Sequence, residues 1–102
     1  MRGNPGNMAG MMKKMQKMQK QVQQAQSELE QREFVGKASD DLVQVTMNGK
    51  REVTDMKIDP KVIDPDDPEM LQDLIIQATN QVLNDIEKTT EQTMGQYTRG
   101  LM

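Results

Sequence analysis

The chain has no cysteine, no histidine and no tryptophan among its 102 residues, and its only aromatic side chains are Phe34 and Tyr97. Without thiols there is no disulfide framework, and without thiols or imidazoles there is no Cys/His zinc site. The same absences remove the usual nucleophile–base pairs. Ser27 and Ser39 have no imidazole to activate them, no Gly-rich phosphate loop occurs, and no pair of carboxylates stands in an identifiable pocket. The expectation is a protein that is not an enzyme, with no cofactor, no metal and no small-molecule substrate. Lack of cysteine fits a reducing compartment. No apolar run approaches the ~20 residues needed to cross a bilayer, and the opening "MRGNPGNMAG" lacks the apolar centre of a secretory signal. A cytoplasmic protein with no membrane partner is expected.

Core-forming material is also scarce: hydrophobic residues make up 34% of the chain, enough for one domain with a thin core. Small chains commonly make up for a thin core by associating, so a two-fold homodimer is expected. Acid is missing from one end. Residues 1–27 hold Arg2, Lys13, Lys14, Lys17 and Lys20 and no Asp or Glu, a charge of +5, while the remainder carries −8. This is the pattern of a basic interaction arm on an acidic body.

The basic arm is also rich in methionine. Met8, Met11, Met15, Met18, Val22, Ala25 and Leu29 recur at alternating steps of three and four, a heptad seam that predicts a long amphipathic helix. No Gly or Pro interrupts residues 13–33, and from Met8 to Gln31 such a helix would be roughly 36 Å long. The rest of the chain is too short to cover it, so part of the seam built by Met11, Met15, Met18 and Val22 is expected to meet a partner subunit. With Met8 at position a, Lys13 and Lys20 fall at f, Lys17 at c and Lys14 at g. One side packs, and the other is offered to a polyanion. Each lysine that neutralises a phosphate releases condensed counterions, and a flexible ammonium favours phosphate over base edges. Lys13, Lys14, Lys17 and Lys20, with Arg2 and Arg99, are therefore the candidates for contact with a polyanion. The bland alternative is a solvated helix face. Thioethers are soft ligands for Cu(I), but their spacing here is that of a packing seam. A Met-lined helix can also dock other helices, so an interaction adaptor that binds proteins rather than DNA is the rival reading.

Strand chemistry follows. "EFVGKAS" reads as a short strand in which Gly36 marks a bulge or a close backbone approach. "LVQVTMN" alternates, with Val43, Val45 and Met47 on one face and Gln44 and Thr46 on the other. Asn48-Gly49 predicts a type I′ hairpin. In "REVTDMKID", Met56 and Ile58 share a face and Val53 is out of phase, which a bulge between Val53 and Met56 reconciles. In "PKVIDPDDPEM", Asp67 is the expected N-cap, with Pro68 at N1 and Glu69 in the first turn. The acidic run Asp64, Asp66, Asp67, Glu69 departs from a calcium loop, having Pro68 and Glu69 where Asp/Asn and Gly belong. Capping and macrodipole compensation account for it. The second helix shows Leu71, Leu74, Ile75, Ala78, Val82 and Ile86 on its main face. Ile76 and Leu83 widen that face, so it should pack on the sheet and on something else. Gly95 is expected to close the helix. The organisation is a flexible lead over 1–7, a single α-β-β-β-α domain over 8–95 and a tail over 96–102. The class is α+β: a long N-terminal helix, a three-stranded antiparallel meander and a C-terminal helix.

With these segments in order, the chain resembles the YbaB/EbfC family of bacterial nucleoid-associated proteins. The resemblance runs through the Met/Gln/Lys-rich first helix and Gly36, then "VQVTMNG" at Val43 to Gly49. It continues through "IDP" at Ile58 to Pro60 and "EMLQDLIIQATN" at Glu69 to Asn80. It implies a tweezer-like homodimer with a joined sheet, Val43, Val45, Leu71, Leu74, Ile75, Ala78 and Val82 supplying its packing. It also implies DNA binding with little sequence preference, for which Lys13, Lys14, Lys17 and Lys20, assisted by Arg2 and Arg99, are the expected contacts, together with a change in DNA shape and a place in the nucleoid.

Overall fold

Residues rich in Met, Gln, Lys and Ala, with Val22 the one β-branched side chain between Met8 and Gln26, wind into α1, Pro5–Gln31. Proline is tolerated at this start because its missing N–H falls where the helix has no internal acceptor. In the computed structural model, which describes residues 5–99 and the side chains of residues 8–97, α1 ends where the Arg32 N–H donates to the carbonyls of Glu28 and Leu29. Then come β1 (Glu33–Lys37), a 3-10 turn (Ser39–Asp41), β2 (Val43–Asn48), β3 (Val53–Ile58), a second 3-10 turn (Pro60–Val62) and α2 (Pro68–Arg99). The strands form one antiparallel sheet in the order β1-β2-β3. The architecture is the α+β meander that the sequence predicts.

Alternation decides which face is buried. Val43, Val45 and Met47 of β2 and Phe34 of β1 lie under α2, which covers them with Ala78, Val82 and Ile86. Leu71, Leu74 and Ile75 are half-buried against this core. Gly36 is the close-approach point: a Cβ there would run into the Ala78 carbonyl and sit 2.6 Å from the Val82 nitrogen. The free edge of β1 is tied down by α2, since the Lys37 N–H donates to Gln81 Oε1 (3.0 Å) and the Ser39 N–H to Gln77 Oε1 (3.2 Å). Asp67 caps α2 as expected, its carboxylate accepting from the Met70 N–H.

β3 is treated differently. Thr46 pairs with Asp55 and Met47 with Val53, leaving Thr54 as an extra residue. This is the bulge that the alternation requires. It returns Val53 to the face shared by Met56 and Ile58. That face is the core face, but α2 lies mainly over β1 and β2. Val53 is consequently 54% exposed and Met56 40%.

Three local expectations are corrected. The hairpin is not type I′. The Arg51 N–H donates to the Asn48 carbonyl and the Asn48 N–H to the Glu52 carbonyl, giving a three-residue loop whose left-handed residue is Arg51 (φ 66°), while Gly49 has no positive φ. The Asn48 side chain selects this loop, accepting from the Lys50 and Glu52 N–H groups and donating to the Glu52 carboxylate. Second, Gly95 does not close α2, which continues to Arg99. The α1 helix likewise begins at Pro5, ahead of Met8.

Candidate nucleic-acid interface

The last turns of α1 are fixed to the body. Ala25 and Leu29 are buried. Leu29 shares a cleft with Gly49, Thr90 and Met94, and Ala25 one with Gln21 and Tyr97. Helices α1 and α2 therefore run antiparallel here, Leu29 level with Thr90 and Ala25 with Tyr97. Gly49 allows the contact, because a Cβ on it would collide with the Leu29 carbonyl. The Arg32 guanidinium is also engaged, 5.1 Å from the centre of the Phe34 ring.

Beyond Gln21 toward its N-terminus, α1 stands clear of the body. Met18 and Val22 are half-buried. Met8, Met11, Met12 and Met15 are 61 to 66% exposed. The molecule is accordingly elongated, 81 × 21 × 16 Å. The seam thus has two regimes, one closed by α2 and one open.

Lys13, Lys14, Lys17 and Lys20 all lie on the clear part and are exposed, and among the described residues none of them forms an ion pair. At about 100° per residue, Lys13, Lys17 and Lys20 share an arc of about 60° opposite the seam, and Lys14 flanks it. The four span about 10 Å of helix axis. A B-DNA duplex carries about six phosphates over that length, so every ammonium has an available anion. Of the two arginines expected to assist, Arg2 lies outside the described residues and Arg99 is the last residue of α2.

The acidic run sits at the other end. Asp64 and Asp67 are occupied as turn and cap acceptors, Asp64 taking the Asp66 N–H and Asp67 that of Met70. From Pro68 to the start of the α1 contact at Thr90, α2 separates the two by about 33 Å, and the lysine arm extends further still. Two exposed bases not singled out from the sequence, Lys50 and Arg51, occupy the hairpin loop. Lys50 borders a cleft with Glu30, Glu33 and Glu52, so its charge is balanced locally. The outward sheet face is mixed in the same way, Glu33, Lys37, Asp55 and Lys57 alternating across it. The α1 arm is the surface where positive charge accumulates without acid.

Among the described residues, no group of three or more acidic side chains is placed to hold a metal ion, and no helix is long and apolar enough to cross a membrane. Residues 4–101 match the family model of the YbaB/EbfC DNA-binding family. A nucleoid-associated protein of Pediococcus pentosaceus is 50% identical over 101 residues, spanning 99% of this chain and 97% of its own. One from Lactobacillus acidophilus is 56% identical over 71 residues, 70% of this chain and 64% of that protein. Among solved structures, an uncharacterized protein from Helicobacter pylori superposes with a TM-score of 0.70 at 20% identity, covering 91% of this chain and 95% of that one, a likeness of fold.

Proposed function

Because the chain belongs to the YbaB/EbfC DNA-binding family, a family of nucleoid-associated proteins rather than enzymes, we propose that it binds duplex DNA as a homodimer through the lysine face of α1. In this reading it has little sequence preference, changes the path of the DNA, and acts in the cytoplasm on the nucleoid, influencing its organisation and gene expression. The observation that carries the reading is the set of four exposed lysines, free of ion pairs, on a helix that leaves the body. Lysine contacts to phosphate position a duplex without reading its sequence.

Support for the dimer comes from β3. Among the described residues its edge has no strand beside it, and an unpaired edge next to an apolar surface is a template for another chain. Val53, Met56 and Ile58 continue the core face outward, and Ile76 of α2 is 56% exposed. A second copy placed along β3 would join the two sheets and cover these side chains.

Lys13→Gln, Lys14→Gln, Lys17→Gln and Lys20→Gln combined test the DNA face. A dimer with all eight lysines engaged has a log K against log salt slope of up to about −7. The variant is expected to bind all sequences more weakly and to show a much flatter slope in gel-shift titrations. Unchanged binding would rule the face out. The exposed methionines also favour a second reading, an adaptor that docks partner helices, and that variant would leave such docking intact.

A further inference from the structure

The open stretch of the α1 seam has no occupant among the described residues. Met8, Met11, Met12 and Met15 are each more than three-fifths exposed, whereas α2 already fills the seam at Ala25 and Leu29. We infer that this stretch pairs, antiparallel, with the same stretch of a second copy when both are held on DNA, so that the arms act as joints between bound molecules. The inference rests on the DNA-binding reading for its setting, but the pairing itself follows from seam geometry.

The seam is complementary to itself in one orientation. Turned antiparallel about Lys13, Met8 meets Met18 of the second copy and Met11 meets Met15, an a-against-d layering throughout. In antiparallel pairs, e positions face e positions. Met12 is at e, so it packs on its own counterpart and every arm methionine is covered. Lys13, Lys17 and Lys20 remain on the outer surface for phosphate. A parallel pair fails on space: beyond Val22 both α2 helices would occupy the ground the second rod needs. It would also set two bodies of charge −8 side by side, whereas the antiparallel pair places them at opposite ends.

The same geometry makes the joint conditional. From Met8 to Met18 the strip is only about 15 Å long, short for an interface that must bury about 1,000 Å² to be stable by itself. Lys14 at g faces Lys14 of the second copy, and this repulsion opposes pairing in free protein. DNA removes both obstacles. It raises the local concentration of arms, and its phosphates neutralise the facing lysines. DNA-bound copies would then link to one another, either along one duplex or between two.

The chain has no cysteine, so single thiols report the register directly. Met11→Cys and Met15→Cys proteins carrying different tags are mixed and oxidised with and without random-sequence duplex, with a gel shift run alongside. The expected product is the 11–15 heterodisulfide, in several-fold excess over either homodisulfide and increasing when DNA is added. Homodisulfides in excess would mean a parallel seam and overturn the proposal, as would the absence of cross-links while the gel shift shows binding. If the gel shift shows no binding, the DNA reading fails by itself. Cross-linking at high protein concentration in 1 M salt, where the Debye length falls to about 3 Å and the Lys14 pair is screened, then decides the pairing alone. A heterodisulfide there sustains it, and none refutes it.

Discussion

Glycine does the same job at the two positions where this fold brings backbones together. Gly36 lets β1 pass beneath α2, and Gly49 lets the hairpin loop touch the end of α1. Neither residue has a positive φ, so the requirement is for space and not for conformational freedom. Gly36→Ala would press a methyl group against the Ala78 carbonyl and the Val82 backbone, which cannot move without displacing α2 from the core. Overpacking of this kind typically costs about 1–3 kcal/mol. A lower midpoint in urea with an unchanged slope is the expected result. An unaltered midpoint would show that the helix and strand separate without penalty. The sequence flagged Gly36 as either a bulge or a close approach, and the structure selects the second. It misidentified the purpose of Gly49, because an Asn-Gly pair ordinarily signals a type I′ turn. Here the Asn48 side chain organises a longer loop, and the left-handed position falls on Arg51.

Among the elements, periodicity made the helices and the sheet legible, and a phase break in β3 required a bulge between Val53 and Met56, which the structure puts at Thr54. What periodicity could not show was where each helix finds its partners. Gly95 looks like a stop by propensity, yet α2 carries through it because Tyr97 and Met94 have Ala25 and Leu29 to pack beside. Tertiary contact outweighs the ~1 kcal/mol that glycine costs in a helix interior. The candidate site divides in the same manner. Exposure of the four lysines was readable from the heptad frame, whereas the boundary between the closed and open parts of the seam depends on where α2 ends. That boundary has a measurable consequence. Helices shorter than about 12–15 residues are marginal without packing, and Met8, Met11, Met12 and Met15 of the arm stay largely exposed. Amide hydrogens over residues 9–20 should exchange orders of magnitude faster than those over 78–86 in the free protein, and should slow when duplex DNA is added. Equal protection of the two segments before DNA is added would mean that the arm is already covered.

The whole molecule is polarised along its length, an acid-free arm at one end and the capped acidic run of α2 at the other. In the proposed complex a duplex would be attracted to the arm and repelled from the far end, which would fix how a bound body projects. Joining two such bodies along β3 would give DNA two arms instead of one, and the electrostatic consequence is quantitative. Met56→Lys places an ammonium in the middle of the exposed core-face strip, where a second copy would have to bury it unpaired, at a penalty of several kcal/mol. Sedimentation velocity should report a monomer for this variant, while circular dichroism and the urea midpoint stay close to those of the parent, since Met56 is already 40% exposed. With four lysines per particle instead of eight, the salt slope should fall from about −7 to about −4. The variant keeps the lysine face and gains a positive charge, so weaker binding in it could not be assigned to lost attraction within one chain. A dimer that survives Met56→Lys would move the interface away from β3. A monomer that retained the full slope would mean that one arm makes all the phosphate contacts, and that the second copy contributes shape alone.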